Sequence, residues 1–150
     1  MQYILEIPGK PLGKQRHRSG KFGSYTPKKT VDFEHYIQLL WVSKYGNHLI
    51  DAPGFEIVAY CCFLPPKSTS KKKLELMLNG EMLYVKKPDY DNLAKIVGDA
   101  LNGIAWRDDS MIVHGDVWKL YRPYQSIKIE INTITKISPA LIENIDNLAG

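Results

Sequence analysis

The stretch from Pro88 to Asp109 reads PDYDNLAKIVGDALNGIAWRDD. Its apolar residues Leu93, Ile96, Val97, Ala100 and Leu101 recur at the spacing of an amphipathic helix, so a helix is expected from about Asp91 to Leu101. Asn102-Gly103 supplies its C-terminal stop. Two carboxylates, Asp89 and Asp91, stand at the start of this helix, Lys95 follows one turn later, and a second pair, Asp108 and Asp109, comes after the turn. Like charges about 4 Å apart cost about 4 kcal/mol per pair at an effective dielectric near 20. A chain that gathers acids in this way usually binds a cation with them. The second pair is expected to return, through a helix-turn-strand path, toward the end of the helix that holds the first.

Working outward, Phe55 to Leu64 is β-rich and nearly continuous in apolar character, which suits a central strand ended by Pro65-Pro66. Tyr3 to Ile7 reads as a first strand, and residues 8–25 as a long basic loop rich in Gly and Pro. Thr26 is placed to cap a helix with Pro27 in its first turn. Phe33, Tyr36, Ile37, Leu40 and Trp41 carry that helix to about Lys44, with a stop near Gly46. Ser68 to Leu78 predicts a short basic helix with Ser70 as cap, and Met82 to Val85 a short extended piece. Met111–Tyr121 and Ser126–Thr135 are expected to pair as an antiparallel hairpin around Pro123. The tail, 136–150, is unassigned beyond a possible terminal helix from Ser138. The order predicts one α/β (α+β) domain over 1–150, with a small mixed sheet flanked by helices.

At 150 residues, 44% hydrophobic and 24% charged, the chain is sized and composed for one soluble core. No apolar run approaches the 18 or so residues of a membrane span, and MQYILEIPGK lacks the basic start of a signal peptide, so no membrane partner and a cytoplasmic location are expected. Cys61 and Cys62 are adjacent in a strand, so one is expected in the core and the other half-exposed. A disulfide framework or cysteine-based zinc site is not expected. The four histidines show no ligand spacing. Any metal should then be oxygen-ligated, which suits Mg2+, with Mn2+ a possible substitute.

The net charge of +4 is unevenly spread. From Lys10 to Lys29 there are seven basic residues and no acid, namely Lys10, Lys14, Arg16, Arg18, Lys21, Lys28 and Lys29. Lys67, Lys71, Lys72 and Lys73 form a second run, and Lys86-Lys87 abut the acidic segment. Any one run is ordinarily a solvated surface; three of them, one beside a carboxylate cluster, favour a phosphate-backbone partner. Phe22 and Tyr25 are the aromatic residues of the basic loop.

Each acid of the segment also has a simpler role open to it. Asp89 or Asp91 could cap the helix, and Asp108-Asp109-Ser110 could be a polar turn. Lys95 shares a face with Asp91 about 6 Å along the axis, and can pair with it or reach a phosphate. Asp99, about 12 Å from Asp91 by the same rise, is too far to share an ion and is expected to pair with Lys95 or face solvent. An EF-hand loop from Asp89 would need a polar fifth residue and a glycine sixth, where Leu93 and Ala94 stand. A DxD glycosyltransferase remains open, as does a non-enzymatic DNA-binding module.

The strings KPDYDNLAK and DALNGIAWRDDSMIV, with the opening IPGKPLGKQRHR and YTPKK, resemble the RusA family of Holliday-junction resolvases, endodeoxyribonucleases common in bacteria and their prophages. The resemblance covers most of the chain to about residue 135. Met111 replaces a usual glutamine, and His17 stands where proline is frequent. It implies a magnesium-dependent, structure-selective endonuclease that resolves four-way DNA junctions in recombination and repair, acting as an intertwined homodimer. Asp89, Asp91 and Asp109 match the family's metal-binding catalytic aspartates, with Asp108 the weaker member of its pair. Lys95 matches the functional lysine and Lys119 the later strand lysine. The basic runs, with Lys86, Lys87 and Lys119, are the expected DNA contacts.

Overall fold

The apolar run at 55–64 is a central strand, and the strands expected at 111–121 and 126–135 are present, but they flank it instead of pairing with each other. The computed structural model describes residues 1–148. Its elements in chain order are β1 (Gln2–Pro8), β2 (Arg18–Gly20), β3 (Gly23–Tyr25), α1 (Lys28–Tyr45), β4 (Gly54–Phe63), α2 (Lys71–Leu78), α3 (Tyr90–Leu101), a 3₁₀ turn (Asp109–Met111), β5 (Ile112–Tyr121), β6 (Ser126–Ile134) and α4 (Pro139–Asn147). The main sheet has the order β1-β6-β4-β5, and β2-β3 form a separate two-stranded sheet. β4 pairs parallel with β5 and antiparallel with β6, and β1 is antiparallel to β6. This is an α+β fold with a mixed sheet, as expected.

The expected β5–β6 hairpin does not form, because β4 lies between those strands. Tyr121 pairs with Phe63 and Ser126 with Cys62, so residues 122–125 step across the end of β4. Apolar alternation marks a strand but says nothing about which strand it pairs with, and the most buried strand took the centre.

One face of the sheet makes the core. Phe55, Ile57, Ala59, Cys61 and Phe63 of β4 alternate inward, joined by Ile127, Ile129 and Ile131 of β6 and by Leu5 and Ile7 of β1. Ile37 and Trp41 of α1 and Leu93, Ile96, Val97, Ala100 and Leu101 of α3 cover them. The five apolar positions expected to face inward on α3 are all buried. Cys62 points to the other face yet is also buried, which corrects the half-exposed expectation. The 122–126 link lies against it, with Arg122, Tyr124 and Ser126 close to its thiol.

Three smaller differences are local. α1 starts one residue late, with Pro27 at the cap position and the Thr26 hydroxyl turned to His17 Nδ1 at 3.2 Å. Residues 82–85 form no strand; Tyr84 instead stacks on Phe63, with ring centroids 3.9 Å apart. The 8–25 loop contains the β2–β3 hairpin. Ser70 does cap α2, accepting from the Lys73 amide, and the tail contains α4. Among the described residues, no helix is long and apolar enough to cross a membrane.

Candidate active site

Asp89 stands at the N-cap of α3 but makes no side-chain capping bond. Its carboxylate faces Lys87, whose Nζ lies 2.8 Å away. The hydrogen bond from Lys87, helped by the charges of Lys87, Lys119 and Arg16, holds the Asp89 carboxyl below the usual range. Asp91 occupies the exposed first turn, where a negative charge suits the helix dipole. Capping therefore does not account for Asp89.

Lys119 reaches this end of α3 from β5. It donates to the Lys86 carbonyl and lies 5.3 Å from the centroid of the Tyr84 ring, bracing the segment that leads to Asp89. Lys95 pairs with Asp99 at 3.3 Å, one of the two outcomes expected of Asp99, and remains 60% exposed. Asp99 also receives Lys14 at 3.1 Å, and Lys14 pairs in addition with Glu34.

These contacts fasten the basic loop to α3. The Lys14 amide donates to the Asn92 carbonyl at 2.8 Å, and a Cβ on Gly13 would sit 2.8 Å from that of Pro88. Between loop and helix lies a cavity of about 470 Å³ bordered by Arg16, His17, Arg18, Lys87 and Asp89. Lys10, Arg16, Arg18, Lys21, Lys28, Lys29, Lys71, Lys72, Lys73, Lys86 and Lys87 are all exposed. Lys14 is not; only 13% of its side chain is accessible, and two carboxylates engage it. Glu34 was missed because nothing local links it to Lys14, twenty residues earlier. Gly13 did carry a signal, being a glycine where the loop must approach another backbone.

The second acidic pair lies elsewhere. Trp106, just past α3, packs on Phe55 at the start of β4, and Ile112 pairs with the same Phe55. β5 then runs back along α3, so that Lys119 comes beside Asp89. Asp108 and Asp109 thus sit at the C-terminal end of the 12-residue α3, roughly 18 Å from the end that holds Asp89 and Asp91. The return expected of the second pair is made by Lys119 instead. Asp108 accepts from the Ser110 hydroxyl, and both acids are exposed. Among the described residues, no three His, Cys, Asp or Glu side chains are grouped to hold a metal ion.

The model of a family described as endodeoxyribonuclease RusA matches residues 8–132. The chain belongs to the RusA endodeoxyribonuclease family. It is also 31% identical over 128 residues to an uncharacterized protein, YqaN, of Bacillus subtilis (strain 168), spanning 85% of this chain and 89% of that one. RusA membership makes the protein an endonuclease of the Holliday-junction-resolvase type and sets aside the glycosyltransferase and non-catalytic readings. RusA nucleases bind branched DNA and depend in general on a divalent metal. The acids at the two ends of α3 agree with such a metal in kind, being exposed, anionic and oxygen-only. They do not assemble a site within one chain.

Proposed function

We propose that this protein is a magnesium-dependent Holliday-junction resolvase that works in the cytoplasm as a homodimer, each active site being shared between two chains. The observation that carries this reading is the separation of the acids. Asp89 and Asp91 stand at one end of α3, while Asp108 and Asp109 stand at the other, facing solvent. A two-fold pairing that sets the N-terminal end of one α3 against the Asp109 turn of the other chain joins the pairs twice over. A four-way junction, cut on two opposing strands, has matching symmetry.

In this reading Asp89 and Asp91 of one chain, with Asp109 of the partner subunit and Asp108 assisting it, hold the ion. When bound, Mg2+ supplies Lewis acidity at the scissile phosphate and lowers the pKa of a water molecule. The chain's own residues do the rest. Lys87, Lys119 and Arg16 keep Asp89 ionised. Lys95, held by Asp99 and largely exposed, offsets negative charge on the phosphoryl oxygens. Arg16, Arg18, Lys21, Lys28, Lys29 and the α2 lysines 71–73 hold backbone phosphates, fixing the junction without reading bases. The products carry 5′-phosphate and 3′-hydroxyl ends.

The test is Asp91→Asn. It removes a ligand and also a charge that repels DNA, so incision should be lost while junction affinity is kept or raised. A variant that still cuts at the wild-type rate would show that Asp91 is not part of the site.

A further inference from the structure

The β2–β3 hairpin stands outside the main sheet. Its register pairs Arg18 with Tyr25, Ser19 with Ser24 and Gly20 with Gly23, which leaves Lys21 and Phe22 at the turn. Neither turn residue has a positive φ; Gly23, at φ +111°, takes up the reversal. Phe22 is 98% exposed. Tyr25 behaves differently, for its ring lies across Gly20, within 3.4 Å of where a Cβ would be. Tyr25 therefore packs locally, whereas the Phe22 ring stands in solvent, with Lys21 Nζ 6.0 Å from its centroid.

The surroundings of this ring point to one class of occupant. No acid occurs between Lys10 and Lys29, and Arg16, Arg18 and Lys21 are exposed along the hairpin. An apolar residue framed only by cations suits a polyanion that also offers a flat apolar surface, which is a nucleic acid with an unpaired base. The base of the hairpin borders the cavity that holds Asp89. Phe22 stands four positions past Arg18 with the turn between, so its backbone lies at most roughly 13 Å beyond that border.

We propose that Phe22 enters the branch point and stacks on an unpaired base, holding the junction open beside the cleavage site. The inference rests on the nuclease reading and names how that site selects branched over linear DNA. Aromatic–base stacking is tolerant of sequence, as recognition by structure requires.

The test compares wild type with Phe22→Ala and Phe22→Trp, using a four-way junction with 2-aminopurine at the branch point and a second junction carrying two unpaired nucleotides there. Phe22 makes no packing contact, so both variants should melt like wild type. Without divalent metal, wild type should raise the 2-aminopurine signal and Phe22→Ala should not. With magnesium, Phe22→Ala should cut the fully paired junction about tenfold more slowly, cut the pre-opened junction at the wild-type rate, and be rescued by Phe22→Trp. An unchanged signal, or equal losses on both junctions, overturns the inference. If wild type raises the signal through Phe22 yet incises neither junction, the nuclease reading fails and the stacking role stands.

Discussion

Lys14 Nζ lies 3.1 Å from a carboxylate oxygen of Asp99, and this contact joins the basic N-terminal loop to the helix that presents the candidate site. Glu34 of α1 pairs with the same lysine, so three segments meet at one cation. Burial pulls the Lys14 pKa down, but the hydrogen bonds to Glu34 and Asp99 outweigh it and the net shift is upward. The loop's placement beside Asp89 depends on this cluster.

Lys14→Met should therefore destabilise the protein by about 2 kcal/mol, because it leaves the part-buried Glu34 without its cation and Asp99 with only the exposed Lys95. Urea unfolding of Lys14→Met, Asp99→Asn and the double variant measures it. The double variant should be less destabilised than the sum of the singles, by about 1 kcal/mol. Strict additivity would mean the contact carries no coupling.

Gly13→Ala should loosen the loop for a steric reason. The added methyl would sit 2.8 Å from Pro88 Cβ and 3.1 Å from Asn92 Cβ, so loop or helix must move. A loss of about 1–3 kcal/mol is expected. Hydrogen exchange of the Lys14 amide, bonded to the Asn92 carbonyl, should speed up more than exchange in the sheet.

The sheet edge carries a pH dependence of its own. His114 Nδ1 lies 2.7 Å from Glu56 and Nε2 3.5 Å from Asp116, while Asn132 donates to Glu56 at 3.1 Å. The hydrogen bond with Glu56, aided by Asp116 and opposed by burial, raises the His114 pKa above its ordinary 6.5. The bonds from His114 and Asn132 lower that of Glu56 below its ordinary 4.5. A raised histidine stabilises fully below pH 6.5 and loses that contribution as pH rises through its folded value. A lowered glutamate stabilises above pH 4.5 and loses its contribution as pH falls through its own folded value. The melting difference between wild type and His114→Gln should thus be largest between pH 4.5 and 6.5 and shrink at alkaline pH. These groups are half-exposed, so about 1 kcal/mol is the ceiling.

Both cysteines should be inert in the folded protein. Burial pushes the Cys61 thiol up to about 12 and raises Cys62 as well, so little thiolate forms at neutral pH. Maleimide labelling should be slow natively and reach two thiols per chain in denaturant. Rapid labelling of the folded protein would contradict the burial of Cys62.

Much of this was legible locally. The helix at 90–101, its buried face and its Asn-Gly stop follow from spacing within a dozen residues, and the Ser70 cap from one residue and its helix. The pairing of β4 with both β5 and β6 was hidden, because an apolar strand does not name its partner. The same blindness misplaced Asp109, since the direction in which β5 leaves the turn decides whether an acid or Lys119 meets Asp89. The β2–β3 strands are three residues each, too short for any periodic signal. Asp89, Asp91, Lys95 and the basic runs were readable as candidates because their meaning lies in charge and local order.

The shared active site is tested most directly by pairing Asp91→Asn and Asp109→Asn chains. Heterodimers carrying two different tags would be isolated and given a four-way junction with magnesium, with each homodimer as control. Each homodimer variant should be inactive. In the heterodimer, one site holds both substitutions and the other holds none, so nicking of one strand per junction should return. A heterodimer as inert as the two homodimers would contradict the account, placing Asp91 and Asp109 of the same chain in one site.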